Sequence, residues 1–167
     1  NPQGIAASSF SIISYISHGM PQAECIRSMC GEDISGVKLT RAFSKGLSLP
    51  VPEADDSTNL RDVILDLILS NVGINSNSSL NFSLMMLGLS GSRQNCFDVI
   101  LDLVADVDFV MNPATSSAAT KCFELIFRVC ELGSRGGLPE LARTHQLRLT
   151  EKLRRSNFWH SQAMRYL

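Results

Sequence analysis

The sequence predicts an all-α fold in which antiparallel helical pairs stack as a HEAT- or armadillo-like α-solenoid segment. Three observations lead to this prediction. Apolar residues recur at helical spacing along most of the 167 residues, no segment alternates apolar and polar residues between hairpin turns, and one hexapeptide recurs after 36 residues. Repeats of about 40 residues are typical of two-helix solenoid units. An ordinary helical bundle is the alternative that these patterns leave open.

The chain is predicted to have three parts. Residues 1–46 hold an N-terminal pair of helices, over 5–18 and 21–30, followed by a stretch whose structure the pattern does not decide. Residues 47–58 contain two prolines and three acidic residues, which predicts a linker outside any helix. Residues 59–167 form the predicted stacked helical-repeat segment.

The repeated hexapeptide lies in that third part, where Asp62–Leu67 recurs as Asp98–Leu103. Each copy carries apolar residues over a wide arc, so each helix needs neighbours on more than one side. A shorter helix is predicted between the copies, ending near Gly88 or Gly91. The later helices are predicted over residues 95–107, from Asn112 and Pro113 through Leu132, from Pro139 to about Arg155, and over 158–167.

An acidic strip accompanies the two copies and is the first candidate site. Its members stand at i,i+4 spacing within each copy and are Asp62, Asp66, Asp98, Asp102 and Asp106. They suggest a docking strip for a basic partner or a metal site. A solvated helix face is the interpretation we favour, because no histidine stands near them to complete a metal site.

The sequence predicts no catalytic residue, metal or cofactor and no small-molecule substrate, so the protein is expected not to be an enzyme. The three histidines, His18, His145 and His160, are isolated from one another and from any nucleophile. The five cysteines mostly stand in apolar runs, which is typical of small hydrophobic residues in a reducing compartment. No apolar run approaches the ~20 residues that span a bilayer, so no transmembrane segment is predicted.

Charge is unevenly distributed along the chain. The formal net charge is −1, but residues 135–167 carry seven basic and two acidic residues, while residues 1–134 carry eight and fourteen. The basic C-terminal part lacks interleaved aromatic residues on which bases would stack, so a nucleic-acid partner is not expected.

A series of segments follows in order over roughly residues 59–167. It comprises residues 81–89, Cys96 within 95–107, Pro113, residues 121–127, and a glycine-rich turn before a leucine/arginine helix leading to Phe158. In pattern and spacing this series resembles the largest inner-ring scaffold nucleoporins of the nuclear pore (nucleoporin 192/205 type). Leu80 and Leu89 depart from the family pattern, where proline and an aromatic residue stand. The sister scaffold, nucleoporin 188 type, therefore remains open.

The resemblance implies a structural scaffold segment of the inner ring, at the nuclear pore complex of the nuclear envelope, which supports pore assembly and nucleocytoplasmic transport of protein and mRNA. It also implies partners, namely other inner-ring nucleoporins and especially short segments of linker nucleoporins. Adjacent repeats of the parent chain are expected partners too, because the chain begins at Asn1 without an initiator methionine and is expected to be part of a longer protein. The alternative function is a HEAT/armadillo-type peptide-binding module of a transport receptor or another large scaffold.

Stacked helices cover one another's apolar faces, so a terminal helix of the segment is expected to leave one face open for a neighbour. The residues predicted to contact such a neighbouring repeat or partner are Phe158, Trp159, Ala163, Leu167, Ile5, Phe10 and Ile13.

Overall fold

The computed structural model describes residues 2–18, 21–31, 36–50, 60–72, 82–88 and 95–134, together with Leu147, Thr150, Glu151, Arg154 and Arg155. Within these residues every regular element is a helix, which confirms the all-α prediction. The helices are α1 (Pro2–His18), α2 (Gln22–Cys30), α3 (Val37–Leu47), α4 (Leu60–Asn71), α5 (Phe82–Met86), α6 (Cys96–Ala105), α7 (Val107–Met111) and α8 (Ser116–Ser134), with a 3-10 turn at Pro113–Thr115 before α8. The chain divides into two compact units, which comprise residues 1–99 and residues 100–167.

The first unit is organised around α4. This helix packs against α1, α3 and α5, and α2 packs against α3 and α5. Three phenylalanine rings pack together in the core. The Phe43 ring packs edge-on against the Phe10 ring, with ring centroids 4.9 Å apart, and against the Phe82 ring, with centroids 6.1 Å apart. The ring edges face ring faces, as aromatic pairs prefer. Phe43 and Phe82 are completely buried.

The two copies of the repeated hexapeptide occupy equivalent positions in their helices. Asp62 is the third residue of α4 and Asp98 is the third residue of α6. Both aspartates are half-buried, the isoleucine and first leucine of each copy are buried, and the second aspartate, Asp66 or Asp102, is exposed. The sequence repeat is therefore also a repeat of helical register and, at these four positions, of burial, whereas the last leucine is buried as Leu67 and half-buried as Leu103.

A buried arginine side chain joins the end of α3 to the start of α4. Arg61 is only 6% exposed. Its Nε donates to the Leu47 carbonyl at 2.8 Å, and its terminal nitrogen donates to the Leu49 carbonyl. These acceptors lie at and just beyond the C-terminal end of α3, where carbonyls lack helical partners and a positive charge is favourable.

The predicted linker over residues 47–58 begins inside a helix. Leu47 is the last residue of α3 and is fully buried, while Pro50 is exposed. Leu47 completes the apolar face of α3 that also contains Phe43, which explains its burial. Residues 51–58 lie outside the described residues.

The turn after α5 requires glycine. Gly88 adopts φ +76°, and a Cβ at this position would stand 2.2 Å from the Asn95 Cβ. This confirms the predicted helix terminus at Gly88. Asn95 in turn caps α6, because its Oδ1 accepts from the Asp98 backbone N–H at 2.8 Å. Helix α5 is described over five residues, Phe82–Met86.

The helix predicted over residues 95–107 ends at Ala105, and a new helix follows. Asp106 has extended backbone angles, and its side chain accepts from the Asp108 N–H at 3.0 Å, which caps α7. An aspartate that binds backbone in this way competes with helix continuation. The break therefore has a local cause.

Helix α8 begins as predicted, behind Asn112 and Pro113. The Asn112 side chain accepts from the Ala114 N–H at 2.9 Å, and Pro113 opens the 3-10 turn. The buried face of α8 contains Ala118, Ala119, Cys122, Leu125, Ile126 and Val129. Phe123 and Cys130 also stand at helical spacing with this face in the sequence, but both are exposed.

Two predicted C-terminal helices fall largely outside the described residues. The five described residues between 139 and 155 are all helical, as the prediction requires. The predicted helix over 158–167 lies outside the described residues.

Candidate functional site

The acidic strip is divided among three helices. Asp62 and Asp66 lie on α4, Asp98 and Asp102 on α6, and Asp106 caps α7. Asp98 also accepts from Asn95 Nδ2 at 3.1 Å. Two of the five aspartates thus have local roles at helix N-termini, where negative charge is favourable.

Among the described residues, no group of three or more histidine, cysteine, aspartate or glutamate side chains stands close enough together to hold a metal ion. None of the helices in the described part of the chain is both long and apolar enough to cross a membrane.

The described cysteines lie in contrasting environments. Cys96 is buried at the start of α6, with its Sγ 3.6 Å from Ser44 Oγ and 3.9 Å from the Thr40 carbonyl. Burial raises the pKa of the Cys96 thiol to about 12, although the Ser44 hydroxyl partly offsets this. Cys130 is exposed on α8, and the partial desolvation of its thiol there also raises its pKa. A buried thiol of such high pKa packs as a hydrophobic residue and is a poor nucleophile.

The residues predicted to contact a neighbouring repeat differ in how exposed they are. Ile5 is 71% exposed, whereas Phe10 and Ile13 are half-buried, because α1 packs against α4 and Phe10 meets the Phe43 ring. The other four predicted contacts, Phe158, Trp159, Ala163 and Leu167, lie outside the described residues.

The sequence analysis missed two members of the exposed face of α1. Ile12 is 60% exposed and Tyr15 is 85% exposed. With Ile5 they stand at i, i+7 and i+10, within roughly a quarter of the helix circumference. Ala7, fully buried, lies on the opposite side. We call Ile5, Ile12 and Tyr15 the outer stripe of α1. Their spacing in the sequence was visible, but only the packing of α1 on α4 decides which apolar face stays open.

A similar stripe lies on α8 in the second unit. Phe127 is 67% exposed, and Phe123 and Cys130 are exposed beside it at i−4 and i+3. Glu124 and Arg128 form an exposed i,i+4 ion pair of 2.5 Å along its edge. Each unit thus presents an apolar helix face bordered by polar residues, an arrangement typical of protein contact surfaces.

The first unit also contains an open cleft of about 380 Å³ between α3 and the start of α6, where Val99 lies among charged and polar residues. Among its lining residues are Arg41, Ser44, Lys45, Ser48, Asn95 and Asp98. No sequence pattern predicts this cleft, because the pattern of residues 31–46 does not decide their structure and their distance from Asn95 is not visible in the sequence.

Helix α3 gives the cleft its positive charge. Its inner face buries Thr40, Phe43 and Leu47, and its outer face exposes Lys38, Arg41 and Lys45. The three cations stand at i, i+3 and i+7 and therefore lie along one side of the helix. We call them the basic face of α3.

No known protein family, curated protein or solved structure matches this chain. The described structure defines the chain as an all-α protein whose helices pack against one another.

Proposed function

We propose that the chain is a structural scaffold segment of an inner-ring nucleoporin, in which helices stack as a solenoid and hold other nucleoporins. The proposal is supported by the resemblance over residues 59–167, by the packing of helix on helix, and by the hexapeptide that recurs in the same helical register. Its site of action is the nuclear pore complex, and its role is to support pore assembly and transport through protein–protein contacts.

The outer stripe of α1 is the observation that carries this proposal. Helix α1 packs on α4 with one face and exposes Ile5, Ile12 and Tyr15 on the other. A helix that is apolar on two sides is suited to a position between two neighbours. In a solenoid each repeat contacts the repeat before and the repeat after it, which requires such helices.

Capture of purified inner-ring nucleoporins by the immobilised chain tests the proposal. We expect retention by the wild-type chain and weaker retention by the double variant Ile12→Ser/Tyr15→Ser, because apolar area is lost from the outer stripe. Ser8→Ala/Ser9→Ala, on the same exposed side of α1, is the matched control and should retain the partners. Retention of no inner-ring component by the wild-type chain would overturn the proposal.

The armadillo-type peptide-binding module, our alternative, has less support. Such a module would present a ladder of asparagine and tryptophan side chains along its inner helices. Among the described residues that line the cleft beside α3, Asn95 is the one asparagine and none is tryptophan. The cleft instead offers serine hydroxyls and cations, which is a different binding chemistry.

A further inference from the structure

We infer that the cleft beside α3 binds an acidic, extended segment of a partner protein, held by the basic face of α3. This inference rests on the proposed function, since it names the chemistry of the segments that the scaffold would hold. It is carried by the shape of the cleft, by the charges along it and by the side chains that line it.

The shape of the cleft suits a peptide segment in extended conformation. Arg41, Ser44, Lys45 and Ser48 stand at i, i+3, i+4 and i+7, so they line a strip about 10 Å long along α3. The cleft is open to solvent along this strip and has a volume of about 380 Å³. A short stretch of extended peptide fits such a groove, whereas an enclosed small-molecule site buries most of its ligand.

The balance of charge favours an anionic ligand. Arg41 and Lys45 line the cleft, and Lys38 extends the same face by one turn. Among the described residues that line the cleft, the one carboxylate is Asp98, which accepts from Asn95 Nδ2 at 3.1 Å at the N-terminus of α6. Carboxylates of a partner would thus meet more positive than negative charge, which steers association and sets the register.

The exposed Ser48 hydroxyl can supply hydrogen bonds to a peptide. Ser48 Oγ donates to the Ser44 carbonyl at 2.9 Å and keeps its lone pairs as acceptors for backbone N–H groups. No aromatic side chain is among the described residues that line the cleft, so stacking of nucleic-acid bases has no platform there. The lining therefore favours an acidic peptide over a single-stranded nucleic acid.

Fluorescence anisotropy with a labelled peptide of alternating glutamate and serine tests the inference, with the glutamine/serine peptide of equal length as the neutral probe. We expect the acidic peptide alone to bind, with affinity falling as salt increases. Lys45→Glu should weaken binding by roughly tenfold or more, and Lys45→Gln by less, because it removes the charge without reversing it.

Arg154→Glu is the matched control. It makes the same change in net charge at an exposed residue outside the cleft, and it should bind the acidic peptide like the wild type. Equal loss in Lys45→Glu and Arg154→Glu would overturn the inference, since binding would then follow net charge alone. Tighter binding of a single-stranded oligonucleotide than of the acidic peptide would overturn it as well.

Capture of inner-ring nucleoporins by the same variants separates the inference from the proposed function. If wild type and Lys45→Glu retain these proteins equally and neither binds the acidic peptide, the inference fails and the scaffold function stands. If the acidic peptide binds in a Lys45-dependent way and no inner-ring protein is retained, the inference stands and the scaffold function fails.

Discussion

The Arg61 guanidinium joins the start of α4 to the end of α3, with its Nε 2.8 Å from the Leu47 carbonyl oxygen. A second bond runs from the same guanidinium to the Leu49 carbonyl. Arginine suits this position because its planar, permanently charged group donates several hydrogen bonds in a fixed geometry.

Arg61→Met should lower the free energy of unfolding by about 1–3 kcal/mol, because two carbonyls lose their charged donor while most of the side-chain volume remains. Urea unfolding followed by circular dichroism measures the change. Arg27→Met is the control, since Arg27 is exposed on α2 and its loss should cost less than about 0.5 kcal/mol. Equal losses in both variants would show that the Arg61 bonds contribute nothing to stability.

Gly88→Ala should destabilise the first unit by at least about 1–2 kcal/mol, since a non-glycine residue is strained at φ +76°. The new methyl group would also displace Asn95, the N-cap of α6. Thermal unfolding is the measurement. Gly4→Ala provides a control of opposite sign: a Cβ there meets no atom within 4 Å, and alanine favours the helix. An unchanged melting temperature in Gly88→Ala would contradict the turn geometry.

Cys96 should make stability depend on pH in the alkaline range. Its pKa is raised from 9.0 to about 12 in the folded chain, so the unfolded thiol ionises first as pH rises. The contribution of the buried thiol is complete below about pH 9 and is lost between about pH 9 and pH 12. The difference in the free energy of unfolding between the wild type and Cys96→Ala should therefore shrink from about pH 8 to about pH 10. A difference that stays constant across this range would exclude the raised pKa.

Equivalent positions of the two hexapeptide copies should respond alike to mutation. Leu65→Ala and Leu101→Ala each remove a fully buried side chain and should cost about 2–5 kcal/mol. Asp66→Ala and Asp102→Ala change exposed residues and should cost less than about 0.5 kcal/mol. Urea midpoints of the four variants test this. A large loss at either exposed aspartate would show that the acidic strip is more than a solvated face.

Much of the fold could be predicted from local signals. Helical spacing of apolar residues located α4, and Asn112 with Pro113 located the start of α8, because caps and amphipathic patterns act over a few residues. The break at Asp106 was missed, since the same aspartate fits both the wet face of a continuing helix and the cap of a new one.

The candidate site was much harder to predict. The burial of Arg61 and the cleft between α3 and Asn95 arise from contacts between residues 12 or more positions apart, which no local pattern encodes. The exposed side of α1 was partly predicted through Ile5, but Ile12 and Tyr15 were not distinguished from residues that pack inward. In a helix that is apolar on two sides, the tertiary neighbour decides which side is covered.

The bond between Arg61 and Leu47 has a practical consequence for engineering. The two helix ends are tied directly through a side chain, so the residues that connect them along the chain are not required to set their separation. A cut in the chain between the two helices should therefore leave the end of α3 in contact with the start of α4, because the guanidinium joins them directly.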